Sequence, residues 1–240
     1  MTGNRESAAA NRLSTVLAAM AAVDGELTVL DRLCTAGAGL LSLRGAGIFL
    51  MVDGELRGTA GASDPGAVVV QELQFELGEG PCLDAWASME PVLEPDLDSP
   101  ARVRWPAFGT AGVEAGIRAV FALPVGVGAI RIGVLVLYRD RPGGLSPDEL
   151  AYGLVLADLA AWVILGQSHA AEEALDTLLA GDPPHWAEVH QAAGIVSVQL
   201  GVPLDEALVR LRAYAFADGR SLREVSRDMV AHRVRLEASP

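Results

Sequence analysis

The sequence predicts an α+β protein: an antiparallel sheet with flanking helices, then a long connecting helix, then an all-α bundle of three short helices. Three observations predict it. Residues 119–138 run for 20 positions with a single charge, Arg131, and are punctuated by Pro124, Gly126, Gly128 and Gly133. Two buried strands joined by a tight turn account for that pattern better than a membrane span does. From Leu150, the apolar positions Leu154, Ala157, Ala161, Ile164, Ala171, Leu175 and Leu178 recur at alternating spacings of four and three, interrupted at Ser168; this is the 3.5-residue period of a coiled-coil seam. Beyond His185, three apolar stripes at helical spacing are separated by breaks.

In chain order, residues 1–6 read as a polar tail, and Asn11–Val23 as a helix with Leu13, Val16, Leu17 and Met20 on one side. Thr28, with Asp31 three residues on, caps a second helix that runs to about Leu41. Gly45 and Gly47 open a strand, Ile48–Val52; Asp53-Gly54 is a hairpin turn and Glu55–Ala60 returns. Pro65–Phe75 reads as helix despite the β-branched Val68, Val69 and Val70. In Gly78-Glu79-Gly80-Pro81-Cys82-Leu83-Asp84 the glycines permit a sharp turn, and Pro81 suits the first position of a short helix through Trp86. Pro91-Val92-Leu93 is a short strand, Pro95–Asp98 a loop, and Trp105–Ala115 a helix ended by Gly116. After the hairpin, Ser146-Pro147-Asp148-Glu149 is a capping box with proline at the first helical position. One antiparallel sheet with helices packed on it satisfies this order.

The connecting helix, 147–182, is expected to pack on the sheet from Leu150 to Ala161 and on a second subunit beyond, with Leu154, Ala161, Ile164, Ala171, Leu175 and Leu178 as the dimer seam. Gly181-Asp182-Pro183-Pro184 breaks it. In the tail, Trp186, Val189, Ala193, Val196 and Leu200 line one helix, which Gly201 stops. Leu204, Ala207, Leu208, Leu211 and Ala215 line a second, which ends at Asp218-Gly219. Ser221 and Glu224 form a capping box for a third, with Leu222, Val225 and Met229 inward. None of the three could bury its stripe alone, so they form a bundle.

At 240 residues the chain has room for a sensor-sized domain and a small appendage. All 18 basic residues are arginine, and the net charge is −13. Residues 1–184 hold 24 acids and 11 arginines, whereas residues 185–240 hold seven of each. An acidic body repels nucleic acid, and the charge balance of the tail alone does not suggest nucleic-acid binding. Two cysteines are too few for a disulfide framework. The N-terminus offers no apolar core or cleavage site, so a soluble, cytoplasmic protein is expected. All four histidines, His169, His185, His190 and His232, lie outside the sheet region, which argues against a His-ligated haem or a metal site there. Catalysis finds no support: there is no phosphate-binding loop with lysine, no nucleophile elbow and no metal-ligand spacing. Glu72, Glu76 and Glu79 read as a solvated acidic face.

Two resemblances sharpen this reading. The run His190-Gln191-Ala192-Ala193-Gly194-Ile195-Val196, then Gly201-Val202, Glu206-Ala207, Leu211-Arg212, Ala215 and Leu222-Arg223-Glu224-Val225 resembles the ANTAR domain, over 185–237. The resemblance implies a three-helix RNA-binding module of bacterial transcription antitermination regulators. Val196-Ser197, Pro203 and Ser226 depart from the family pattern. The segment Gly78–Cys82, the element order and the strand ending Ile132-Gly133-Val134-Leu135 are similar to a GAF domain, over 8–165. That resemblance implies a small-molecule or signal sensor on a central antiparallel sheet. The two together imply an RNA-binding homodimer that pairs with hairpin loops in nascent mRNA, with no membrane and no duplex DNA as partner. A nucleotide-type ligand and an empty sensor pocket both stay open, and no cofactor is implied.

Arg220, Arg223 and Arg227 fall at i, i+3 and i+7, with Arg210 and Arg212 before them on the second helix. Guanidinium groups pair bidentately with phosphate and stack on unpaired bases. By spacing alone this is a solvated face, because Glu224 and Asp228 sit among the arginines. The ANTAR resemblance points the other way, to Gln191, Arg212, Arg220 and Arg223, with Arg227 on the same stripe, as RNA-binding residues. It makes Gly194, Ala207 and Ala215 positions of close helix packing. Tyr214 reads as a bundle-rim aromatic able to stack on a base. Cys82, at a helix N-terminus where the dipole favours a thiolate, is a candidate redox sensor set against a buried structural thiol. Cys34, inside a helix, is core.

Overall fold

Strands buried on both faces are apolar at nearly every position, and the three central strands here obey that rule. The computed structural model describes residues 2–52, 54–99, 104–166 and 184–236. Their order is α1 (Thr2–Ala21), α2 (Val29–Leu40), β1 (Gly45–Val52), β2 (Glu55–Ala62), α3 (Pro65–Leu77), α4 (Pro81–Ser88), β3 (Val92–Glu94), α5 (Pro106–Glu114), β4 (Ala119–Val127), β5 (Ile130–Arg139), α6 (Pro147–Gly166), α7 (Pro184–Leu200), α8 (Leu204–Ala217) and α9 (Leu222–Val230). The elements separate into two compact units, α1 to α6 and α7 to α9.

In the first unit the strands form one antiparallel sheet in the order β2-β1-β5-β4-β3. The run 119–138 is thus two strands and a turn. One sheet face presents Ile48, Leu50, Phe121, Leu123, Leu135 and Leu137 to α2 and α6, where Leu33, Cys34, Leu156 and Ala160 complete a continuous core. Each large side chain fully buried there contributes about 1.5–3 kcal/mol. Gly133 earns its place at the centre: a Cβ there would lie 2.0 Å from the Phe49 carbonyl oxygen on β1, so only glycine lets the two backbones pair. The edges are short or irregular. β3 has three residues, and β2 meets β1 through two bulges, which discourages edge-to-edge association. β3 opposes only Val120–Ala122, so Pro124 sits where that edge is open.

The caps are made by the residues expected. The Thr28 hydroxyl accepts from Asp31 N at 3.1 Å, and Asp31 Oδ1 accepts from Ala62 N at 2.9 Å, which ties α2 to the end of β2. Ser146 and Glu149 close the capping box of α6 at 2.6 and 3.2 Å. Hydrogen bonding from Ser146 is the main reason the Glu149 carboxyl is held below its usual range.

Two expectations are corrected. Residues 2–6 belong to α1 rather than to a tail; Arg5, Glu6 and Ala8–Ala10 are good helix formers that carry the helix outward. The connecting helix packs on the sheet core from Leu150 to Ala161 as expected, but two positions assigned to the dimer seam belong to that core. Ala161 is fully buried, and Ile164 packs against the same core. Leu154 does face outward, 42% exposed, and Trp162 is 67% exposed. Ala171, Leu175 and Leu178 lie outside the described residues. Among the described helices, α6 is long and apolar enough to cross a membrane, as are α7 and α8 only if counted as one span bent by 103°. The core position of Leu156, Ala157, Ala160 and Ala161 is a sufficient reason for the apolarity of α6.

The second unit is a three-helix bundle. Val189, Ala192, Ala193 and Val196 of α7, Ala207, Leu208, Leu211 and Ala215 of α8, and Leu222, Val225 and Met229 of α9 are buried together. Gly201 and Gly219 end α7 and α8 in the left-handed region, at φ +65° and +63°. Ser221 and Glu224 make both bonds of the capping box of α9.

Candidate functional site

In the first unit, the sheet face opposite α2 and α6 is covered by α4, packed on β3, β4 and β5, and α3 is tied to the edge strand β2 through Gln71 and Thr59. Two glutamines of α3, Gln71 and Gln74, are fully buried. Gln74 Oε1 accepts from Cys82 N at 2.7 Å, while Gln74 Nε2 donates to Val70 O at 3.1 Å and to Cys82 Sγ at 2.9 Å. Gln71 Oε1 accepts from the Thr59 hydroxyl of β2. Its Nε2 is buried with no hydrogen-bond partner, an unmet donor beneath α3.

The Gly78–Asp84 segment assembles this cover. Glu79 Oε1 accepts from Ala107 N at 2.7 Å and from Phe108 N at 2.9 Å, capping α5. Glu79 is therefore a cap and not part of a solvated acidic face. Asp84 accepts from Trp105 Nε1 at 3.0 Å and pairs with Arg104 at 3.0 Å.

Cys82 lies in the first turn of α4, but its exposure is 0%. Burial pushes the thiol up to about 12, although its bond to Gln74 pulls the other way. Desolvation outweighs the helix dipole, so the thiol stays protonated and enclosed, and the redox-sensor reading of Cys82 is withdrawn. Cys34 is buried too, with its thiol raised in the same sense by desolvation. No cluster of three or more His, Cys, Asp or Glu that could hold a metal occurs among the described residues.

In the second unit the arginines divide by what they touch. Arg220 precedes α9 rather than lying on it, and its guanidinium meets Asp228 at 2.5 Å and Asp218 at 3.5 Å. Asp228 also binds Arg233 at 2.8 Å; the bond from Arg220 is the main cause that holds its carboxyl below the usual range. Arg210 pairs with Glu206 at 2.5 Å, and Arg212 is half-buried. Arg227, 54% exposed, has Glu188 at 3.7 Å. Arg223 is exposed on α9 with no ion pair among the described residues. Gln191 is exposed on α7, and Tyr214 is half-buried. The aromatic that stands out of the bundle is Phe216, 78% exposed. It lies off the buried stripe of α8, which runs through Ala207, Leu208, Leu211 and Ala215. Ala207 and Ala215 are buried by helix packing as expected, but Gly194 is not crowded by anything.

A five-stranded antiparallel sheet with helices packed on it, and a polar cluster beneath them, defines the first unit as a small α+β domain. The chain belongs to the GAF family: the model described as GAF domain matches residues 25–164. The first unit is thus a GAF signal-sensing domain. Among solved structures, it is similar to the GAF domain of a phosphoenolpyruvate-protein phosphotransferase from Coxiella burnetii (17% identity, TM-score 0.51, covering 68% of this chain and 96% of that one). It is also similar to the corresponding domain from Acinetobacter (14% identity, TM-score 0.50, covering 68% and 97%). A free methionine-R-sulfoxide reductase from Neisseria meningitidis matches at 18% identity and a TM-score of 0.48, covering 69% and 93%. At these identities the likeness is one of fold. No curated protein matches the sequence.

Proposed function

We propose that the chain is a signal-responsive, RNA-binding antitermination regulator of the cytoplasm, without a catalytic step of its own. The GAF domain senses a signal, and the C-terminal bundle, read as an ANTAR module over 185–237, binds paired hairpin loops in a nascent transcript. The observation that carries this reading is Arg223. It stands exposed on a capped helix, without an ion pair among the described residues and within the residues that carry the ANTAR resemblance, where a guanidinium can engage phosphate or stack on an unpaired base.

Homodimerisation belongs to the same proposal, because two linked modules raise the effective concentration for a second loop. Leu154 and Trp162 on α6, with Leu13 and Leu17 on α1, leave apolar surface that a second subunit could cover. Arg12 joins those two helices through Asp148 at 2.7 Å.

The test is binding of the full chain to fluorescent paired hairpins at low ionic strength, with Arg223→Ala alongside. The expected result is binding that salt weakens and that Arg223→Ala weakens by about 1–3 kcal/mol. Indifference of the parent to every hairpin removes the reading. A second reading, a signal-dependent protein-docking module without RNA binding, is favoured by the α8 face that exposes Val209 (59%) and Phe216 (78%). Under it, Phe216→Ser abolishes partner capture and Arg223→Ala is silent.

A further inference from the structure

Gly194 stands in the middle of α7 in right-handed helical backbone, where glycine weakens a helix relative to alanine. A Cβ built on it meets nothing within 4 Å, so no packing among the described residues asks for glycine. Against it lies an open groove of about 540 Å³ lined by Gln191, Gly194, Ile195, Val198 and Gln199 of α7 and by Val230 of α9. Apart from its two glutamines the lining is glycine and aliphatic side chains. Gln199 Oε1 is buried with no hydrogen-bond partner, an acceptor that lacks a donor. On α9, Arg223, Arg227 and Val230 fall at i, i+4 and i+7 and so share one face. The groove therefore continues the exposed arginine face.

We propose that this groove receives one unpaired base of a hairpin loop while Arg223 and Arg227 hold the adjoining phosphates; the inference rests on the RNA-binding reading above. A nucleobase is apolar on its two faces and carries amino donors on its edge. Its faces fit Ile195, Val198 and Val230, its amino group satisfies Gln199 Oε1, and Gln191 meets its outer edge. The missing side chain at Gly194 lets the ring lie against the helix backbone. A second copy of α7 could also cover Gly194. That two-fold contact, however, would set the arginine faces of two copies side by side.

The experiment uses the full chain and a library of paired RNA hairpins with a constant stem and randomised loops. The loop bound best by the parent is then measured against Gly194→Leu and Gln199→Leu, with melting curves and sedimentation velocity for each. Leucine at 194 enters open space on a helix, so the variant folds. Expected are a loss of about tenfold in affinity for the selected loop with Gly194→Leu, little change for an unselected loop, and weaker discrimination between loop bases with Gln199→Leu. Equal affinity of Gly194→Leu and the parent for the selected loop overturns the groove and leaves the RNA reading standing. Failure of the parent to bind any loop overturns both. A change of assembly state with Gly194→Leu assigns the groove to a second copy and overturns the proposal as well.

Discussion

Cys82 sets two residue-scale effects against each other, and burial wins. The first turn of α4 favours a thiolate, but burial raises the thiol from its ordinary 9.0 to about 12. In the unfolded chain that thiol ionises near 9, while in the folded protein it does not until about 12. Its contribution to stability is therefore fully present below about pH 9 and is lost as pH rises toward 12, at up to about 1.4 kcal/mol per pH unit. Cys34 and the Tyr138 hydroxyl, raised chiefly by desolvation, act in the same direction. The urea midpoint is expected to fall between about pH 8.5 and pH 10.5, and less steeply in Cys82→Ala; a thiol reagent at about pH 8 labels neither cysteine until the protein unfolds. Rapid labelling of the native protein would contradict the burial. The sequence showed where Cys82 stands but not what encloses it, because Gln74 and the covering helices reach it only through the fold.

At the scale of elements, the local signals were legible and the distant ones were not. Ser221 with Glu224, Ser146 with Glu149, and Thr28 with Asp31 are caps written within four residues, and each forms as read. Glu79 instead caps a helix that begins 27 residues later, so no local pattern announces it. Glu79→Ala leaves Ala107 N and Phe108 N without their acceptor and is expected to cost about 0.5–2 kcal/mol in urea unfolding, with a smaller loss for Glu79→Gln, which keeps one carbonyl oxygen. The seam misled for a different reason. Periods of 3.5 and 3.6 drift apart by only about 20° per heptad, so over the 20 residues of α6 a core-facing stripe and a coiled-coil seam look alike. The structure separates them. Ala161→Leu is expected to overpack the sheet core and cost about 1–3 kcal/mol, while Leu154→Ala on the exposed face changes monomer stability by about 0.5 kcal/mol or less. Equal effects of the two in urea unfolding would return Ala161 to an outward seam.

Over the whole molecule, charge decides how RNA binding must respond to salt. The chain carries −13, all of it within residues 1–184, and the bundle region is balanced. Much of the bundle's positive charge is spent internally: Arg220 and Arg233 on Asp228, and Arg210 on Glu206. Arg223, with Arg227 beside it, is what the proposed loop site can offer to phosphate. Two phosphate contacts with single-stranded RNA give a slope of log K against log salt of about −1.4. Repulsion from the acidic residues is itself screened by salt, which makes the observed slope shallower, not steeper. The expected value for the full chain is thus between about −1.4 and zero, and Arg223→Ala moves it toward zero by about 0.7. Arg220→Ala should instead lower the melting temperature of the bundle, because it removes one of the two arginines on Asp228 and the arginine on Asp218, with the salt slope unchanged. A slope near −5 would require more phosphate contacts than these arginines supply, and would move the RNA site away from α9.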